Sequence, residues 1–359
     1  MSAATQRTRA VVVDDSPLML KMITGALQEE GDIEVVAQAK DPHEARSLIK
    51  AHDPDVVTLD VEMPGMNGIE FLEKIMALRP MPVVMVSTLT SAGTDVTLNA
   101  LQIGAVDAVA KPSGRDGLTR FGVELRQKVR AARNARVLRR PQPTASAPRP
   151  AAPPPAVPVG NHGAEVIAIG SSTGGVTALN EVMAGIPPNA PPILITQHMP
   201  ARFTSRFAAR MNGQFSLDVR EATDGEALRP GTVRIAPGDR HLSLVRDGGQ
   251  LKLRLDGTSG PISGHIPSVD VLFNSVCSVV GRNAIGVILT GMGRDGAAGL
   301  RGIKNAGGLT LGQSEASCVV YGMPKAAMAL GAVTEELDVS QIAARICQFL
   351  NSPAAKKRA

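Results

Sequence analysis

Aromatic side chains are nearly absent: the 359 residues include no tryptophan, one tyrosine and seven phenylalanines. Proteins that stack nucleic acid bases need aromatic platforms, so that mode of binding is poorly provided for. Cysteine is equally sparse. Cys277, Cys318 and Cys347 are odd in number and show no C-x-x-C spacing. This argues against a zinc site or a disulfide framework and for a reducing compartment. No apolar run is long enough to span a bilayer. The N-terminus passes from Thr8-Arg9 straight into Val11-Val12-Val13-Asp14-Asp15, without the apolar core and small-residue cleavage site of a signal peptide. A cytoplasmic protein with no membrane insertion is expected. The net charge of +5 is modest, and much of the basicity gathers between Arg126 and Arg140. That run fits the solvated face of a final helix better than a nucleic-acid patch, because no aromatics interleave and no second element joins it.

What is present is a repeated alternation of short apolar runs and amphipathic segments. At this length two domains are the natural expectation. In the first half, Val11–Val13, Ile33–Val36, Val56–Leu59, Val83–Val86 and Val106–Val109 read as strands. Leu18–Leu27, His43–Ala51 and Gly68–Leu78 read as helices between them. Five βα units imply a doubly wound parallel sheet covered on both faces, with functional groups at the carboxyl ends of its strands. Those ends carry Asp14 and Asp15, then Asp60, then Ser87, then Lys111-Pro112. Carboxylates converging on one rim repel one another unless a cation joins them, and oxygen ligands with room for water suit Mg²⁺. A lysine and a hydroxyl beside that cation are placed to hold a phosphoryl group.

These residues resemble the receiver domain of two-component response regulators, over roughly Arg9 to Arg133. The resemblance rests on Asp14-Asp15, on the run Asp60-Val61-Glu62-Met63-Pro64-Gly65-Met66-Asn67-Gly68, on Ser87 and on Lys111-Pro112. It implies phosphorylation of Asp60 by a sensor histidine kinase. It also implies Mg²⁺ held by Asp15, Asp60 and the Glu62 carbonyl, with Asp14 completing the acidic pair and Ser87 and Lys111 as the switch residues. One departure stands out: the position three before the lysine, often an aromatic switch residue, is Ala108. An aromatic flip is therefore not how this domain signals.

From about Arg139 to Gly160 the chain is rich in proline and alanine. Such a segment buries no core and samples polyproline II, so it permits domain motion without dictating it. The organisation expected is a receiver over 1–138, a linker over 139–162, a second α/β domain over 163–352 and a basic tail over 353–359.

In the second domain, Val166–Ile169 is expected to be a strand that ends in Gly170-Ser171-Ser172-Thr173-Gly174-Gly175, with a helix from Val176 to Met183. The text matches G-x-S-x-G, which presents a serine nucleophile on a sharp strand-to-helix turn. A second strand, Pro192–Thr196, ends in Gln197-His198, and a very apolar one, Ala284–Leu289, ends in Thr290-Gly291-Met292-Gly293-Arg294-Asp295. Val233–Ala236, Leu242–Val245 and Leu251–Leu255 read as short antiparallel strands. Val269–Val280 reads as a helix and Leu309–Leu311 as the last strand. A mainly parallel sheet with a small antiparallel hairpin region follows.

Three strand ends thus offer Ser172, His198 and Asp295. Serine needs a base to take its proton, histidine has the right pKa, and a carboxylate orients and charge-balances the imidazole. The turn around Met292 offers a backbone N–H for a developing oxyanion. Asp295 before glycine also reads as a helix cap, and His241 and His265 compete with His198 for the role of base. The α/β-hydrolase fold places its acid before its histidine, and the order Ser, His, Asp disfavours it. A nucleotide-binding loop at Gly170–Gly175 lacks a Walker lysine.

With the motifs Ile169–Gly175, Gln197–Pro200, Ile235-Ala236-Pro237-Gly238-Asp239, His265-Ile266-Pro267-Ser268-Val269-Asp270 and Leu289–Gly296 in view, the domain resembles the catalytic domain of the chemotaxis protein-glutamate methylesterases. The resemblance implies hydrolysis of glutamate methyl esters, and deamidation of glutamines, on the cytoplasmic helices of chemoreceptors. It implies a receiver that shields the active site until phosphorylated. No cofactor in the catalytic domain and a monomer are expected. The runner-up is a response regulator whose output domain binds a protein or nucleic acid without catalysis. A DNA-binding output usually carries a helix-turn-helix with a basic recognition helix, whereas residues 164–350 show strands and few clustered cations.

Overall fold

The computed structural model describes residues 7–63, 67–88, 90–112, 115–137 and 164–352. The linker and basic tail expected at 139–162 and 353–359, and residues 64–66 of the acidic-loop motif, lie outside the described residues. The chain divides into two units, Met1–Ala145 and Ser146–Ala359.

The first unit runs β1 (Thr8–Val13), α1 (Pro17–Gln28), β2 (Ile33–Ala39), α2 (Pro42–His52), β3 (Val56–Asp60), α3 (Gly68–Leu78), β4 (Val83–Ser87), α4 (Ser91–Ile103), β5 (Asp107–Ala110) and α5 (Arg115–Arg133). The five strands are parallel in the order β2-β1-β3-β4-β5. Every residue of β3 and β4 is buried, because helices cover both faces; this is why those strands read as unbroken apolar runs. Helix starts are set by local chemistry. Ser16, Asp41, Asn67 and Thr90 each accept a backbone N–H of the helix they precede, satisfying donors that the first turn cannot. The strand order reverses between β1 and β3, so a crevice opens beyond their carboxyl ends. Asp14 and Asp60 lie there.

The second unit runs β6 (Val166–Ser171), α6 (Gly175–Ala184), β7 (Ile193–Gln197), α7 (Ala201–Gln214), β8 (Asp218–Glu221), β9 (Thr232–Ile235), β10 (His241–Asp247), β11 (Gln250–Asp256), α8 (Val269–Val280), β12 (Ala284–Ile288), α9 (Ala297–Asn305), β13 (Leu309–Gln313), α10 (Met323–Ala329), β14 (Glu335–Leu337) and α11 (Val339–Asn351). Seven strands form one parallel sheet in the order β14-β13-β12-β6-β7-β9-β8. The reversal falls between β12 and β6, and Ser172 and the 290–295 loop follow those two strands.

Two expectations need correction. The segment at 233–236 is not antiparallel: β9 pairs parallel with β7 and β8 inside the main sheet. All four of its residues are buried, as suits a strand covered on both faces. Among the described strands only β10 and β11 form an antiparallel pair, and there exposed positions interrupt the apolar ones. Nor is β13 the last strand: β14 extends the sheet beside it. That strand is short and glutamate-rich, as edge strands often are, and gives little apolar signal.

Candidate active site

Ser172 leaves β6 at the sheet's reversal point and is pinned from both sides. Its N–H donates to Thr290 O at 3.0 Å. Its carbonyl accepts Gln197 Nε2 at 2.9 Å, and the same amide nitrogen donates to His198 O at 3.1 Å. Ser171, one residue earlier, is buried and donates to Gln197 Oε1 at 2.6 Å. Gln197 therefore fastens the serine turn to the histidine turn through the oxygen and nitrogen of its one side-chain amide, and Ser172 rather than Ser171 is left at the partly exposed position.

The 290–293 turn comes up against the same serine. A side-chain carbon on Gly291 would sit 2.7 Å from Ser172 Cβ, so only glycine allows this approach. Gly291 is held by the loop after β13: its N–H donates to Val320 O, and its carbonyl accepts the N–H groups of Gly322 and Met323. Thr290 Oγ1 donates to Thr173 O at 2.9 Å and accepts the Val320 N–H at 2.9 Å. The Met292 peptide thus hangs from a turn anchored at Gly291, beside the serine.

His198 and Asp295 meet directly, His198 Nε2 to Asp295 Oδ2 at 2.8 Å. Asp295 is buried and takes three further donors. Ser268 Oγ and the Asp270 N–H reach Oδ1 at 2.8 and 3.0 Å, and the Val269 N–H reaches Oδ2 at 2.7 Å. Asp295 is indeed a helix cap, but for α8 rather than for α9, which follows it. Burial alone would raise its pKa; the His198 contact and the α8 donors outweigh burial and hold the carboxyl below its usual range. Close packing makes this possible. Val269 lies where a Cβ on Gly170 would be, at 2.2 Å, so α8 begins directly over β6 and aims its first N–H groups at Asp295.

The remaining histidines separate cleanly. His241 is buried, accepts the Ser268 N–H on Nδ1 at 3.1 Å and holds Gly260 O with Nε2 at 3.2 Å; both ring nitrogens serve the loop before α8. His265 stacks on His198 with ring centroids 3.8 Å apart and planes 5° apart. It closes a tight turn in which Ile262 and His265 exchange backbone hydrogen bonds, and Ser263 and Gly264 both have positive φ. His198, His265 and Asp295 are also close enough to be metal ligands. Parallel imidazoles, however, aim their in-plane lone pairs side by side rather than at one point, which suits proton transfer better than a tetrahedral cation. His198 Nδ1 is buried without a hydrogen-bond partner.

In the first unit Asp14, Asp15 and Asp60 bring carboxylate oxygens within 4.8 Å of one another. Lys111 Nζ reaches Asp60 at 2.8 Å and Asp14 at 2.9 Å. Asp60 is buried, and burial, reinforced by the Asp14 charge, pushes its carboxyl above the usual range despite Lys111. Burial alone would lower Lys111, but its pairing with Asp60 and Asp14 raises it. Three carboxylates face one ammonium here, so the oxygen set fits a further hard cation. The Glu62 N–H donates to Asp60 Oδ1 at 3.3 Å. Ser87 stands apart in this arrangement: its buried hydroxyl lies 3.2 Å from Thr88 O and 3.4 Å from Gly93 O.

The structure brings Asp14, Asp15, Asp60 and Lys111 together in one unit, and His198 and Asp295, with Ser172 on the adjoining turn, in the other. Sequence reasoning missed the roles of Gln197, Ser268 and Thr290. Each lies inside a motif it had singled out, which was the available signal.

A family described as CheB methylesterase matches residues 167–346, and one described as response regulator receiver domain matches residues 10–121. The chain is 53% identical over 347 residues to protein-glutamate methylesterase/protein-glutamine glutaminase 1 of Caulobacter vibrioides, covering 96% of this chain and 99% of that one. It is 48% identical over 354 residues to the protein-glutamate methylesterase/protein-glutamine glutaminase of Salmonella typhimurium, covering 97% and 99%. The crystal structure of the Thermotoga maritima CheB methylesterase catalytic domain is similar with a TM-score of 0.50 and 38% identity, covering 52% of this chain and 98% of that one.

Proposed function

The chain belongs to the CheB methylesterase family, and from that premise we propose how its own residues work as a protein-glutamate methylesterase and protein-glutamine glutaminase governed by a receiver domain. Ser172 Oγ attacks the carbonyl carbon of a glutamate methyl ester. His198 takes the serine proton on Nδ1 and returns it to the departing methoxide, so methanol leaves and an acyl-serine remains. Water then attacks with the same base, releasing the glutamate carboxylate and restoring Ser172. Asp295 orients the ring through Nε2 and balances its charge when it is protonated. The Met292 N–H supports the oxyanion. With a glutamine substrate the leaving group is ammonia.

The observation that carries this reading is the pair of ring nitrogens on His198. Nε2 is fixed by a carboxylate that four donors keep ionised, and the buried Nδ1 has no partner. That is the state required of a waiting base. A non-catalytic output domain has no support in the family matches.

In the receiver, taken as 1–138, the phosphoryl acceptor is Asp60. Asp14, Asp15 and Asp60, with the Glu62 carbonyl, would hold Mg²⁺, and Ser87 and Lys111 would respond to the phosphoryl group. Bound there, Mg²⁺ supplies positive charge that offsets the incoming phosphoryl oxygens. Lys111 already bridges Asp14 and Asp60 and is placed to follow that charge. The catalytic domain is taken as 163–352, with 139–162 as linker. The substrates are chemoreceptors, the phosphodonor is a sensor histidine kinase, and the role is chemotactic adaptation. A monomer is the working unit of this reading. Among the described residues no helix is long and apolar enough to cross a membrane, and a cytoplasmic location fits the cytoplasmic helices on which the substrate residues lie.

The experiment is methanol release from methylated receptor membranes, with and without a small phosphodonor. Release that depends on Ser172 and rises with phosphodonor supports the reading; release unaffected by Ser172→Ala contradicts it.

A further inference from the structure

A cleft of about 390 Å³ opens between α2 and α3 of the first unit, and none of its lining belongs to either site described above. Its floor is apolar: Ile49 from α2, Phe71 and Ile75 from α3, and Met81 beyond them. Leu78, at the end of α3, lines it too and is 73% exposed, so it carries the apolar floor out to the surface. The rim is cationic. Arg46 and Lys50 stand on α2 and Lys74 on α3, with Arg79 closing one end, and no carboxylate is among the lining residues. Arg79 also donates to Ile49 O at 3.2 Å and pairs with Asp53, which ties the two helices together and gives the cleft a fixed end.

We propose that this cleft docks an acidic peptide segment of another protein, one that inserts a large apolar side chain and sets carboxylates against the rim. An apolar floor with a rim of one charge sign selects that chemistry: the anchor supplies affinity, and the charges supply orientation and encounter rate. The chain's own segments outside the structure do not match. Residues 138–163 contain no Asp or Glu but do contain Arg139, Arg140 and Arg149, and the last seven residues include Lys356, Lys357 and Arg358. A second copy fits poorly, because its acidic clusters are engaged. Glu29 and Glu30 pair with Arg126, and Glu335 and Glu336 hold Arg345 and Tyr321.

The test uses the full chain and three fluorescein-labelled hexapeptides, EEFLEE, EESSEE and KKFLKK, read by fluorescence anisotropy. EEFLEE is expected to bind saturably, and the other two at least about tenfold more weakly, since one lacks the anchor and the other the charge. The double variant Arg46→Glu, Lys50→Glu should weaken EEFLEE by about tenfold or more, and Leu78→Ser by a few-fold. The milder pair Arg46→Gln, Lys50→Gln should give an intermediate loss, and all variants should keep basal esterase activity. Amide shifts on titration should concentrate in α2 and α3. Absence of EEFLEE binding, equal binding of EEFLEE and KKFLKK, or affinity unchanged by the charge reversal in a folded variant would each overturn the proposal.

Discussion

Asp60 and Asp295 are both buried aspartates at the strand-end crevice of a parallel sheet, yet their surroundings drive them in opposite directions. Asp60 has Lys111, one long backbone contact and a second carboxylate as neighbour, and its carboxyl is pushed up. Asp295 collects four donors, and its carboxyl is held down. The helices explain the difference. In the receiver α1 to α4 are capped by their own Ser, Asp, Asn and Thr, so the first donors of these four helices are taken up locally. In the catalytic unit α8 has no side-chain cap of its own, and its first donors turn to Asp295. One aspartate is left in need of a cation; the other is finished as an anion. The first arrangement suits the charge-binding role proposed for the receiver, the second the base-orienting role proposed for the catalytic unit.

The sharpest way to break this contrast is to remove the chemistry proposed for the site around Asp295. Ser172→Ala should abolish methanol release with the fold intact, since a partly exposed turn residue contributes little core contact. His198→Ala should cost ~10²–10⁴ in rate. Loss on His241→Ala with His198→Ala spared would move the base to His241 and undo the assignment. Asp295→Asn comes next. The amide keeps the shape but presents its NH₂ to groups that are themselves donors, so the rate should fall by roughly 10²–10⁴. Stability should fall too, by about 1–3 kcal/mol, measured by urea unfolding of the full chain in its catalytic-domain transition.

Asp60→Asn should behave differently on every count. Basal esterase activity should remain and stimulation by a phosphodonor should vanish; stimulation persisting with Mg²⁺ present would place the signal elsewhere. Because burial outweighs the Lys111 pairing at Asp60, removing its charge should cost the receiver little stability, and Mg²⁺ should raise the receiver Tm of the wild type but not of this variant. An equal Mg²⁺ effect on both proteins would show that the acidic set does not act through Asp60.

The smallest expected effect is in pH. Asp295 has a folded pKa below its unfolded value near 3.8. Its contribution to stability is therefore complete above about pH 3.8 and is lost as pH falls through the lower folded value. Asp60 has the opposite sign: its burial cost is absent below its unfolded value near 3.8 and grows as pH rises through the higher folded one. Acidification from neutral should thus relieve the receiver before it weakens the catalytic unit. Differential scanning across mildly acidic pH, with Asp60→Asn and Asp295→Asn as references, would register that order or its absence.

Much of this contrast was legible in the sequence, and the illegible part has physical causes. Asp14, Asp60, Lys111, Ser172 and His198 sit at or just beyond apolar strands, and strand ends in a doubly wound sheet gather on one rim. The donors on Asp295 were not legible as donors. Ser268 to Asp270 reach it only because Val269 packs over Gly170, a contact between distant parts of the chain. His241 and His265 remained rivals of His198 until packing showed one ring spent on a loop and the other stacked on its face. The orientation of β9 was misread because four buried residues carry no alternation, and β14 went unseen because an edge strand need not be apolar.

The most direct measurement is covalent labelling with a serine-directed fluorophosphonate, followed by peptide mapping of the modified site. A serine activated by His198 and Asp295 should take the label at Ser172 alone, and the label should be lost in His198→Ala. Labelling at Ser171 or Ser268, or labelling of Ser172 that survives His198→Ala, would contradict the account.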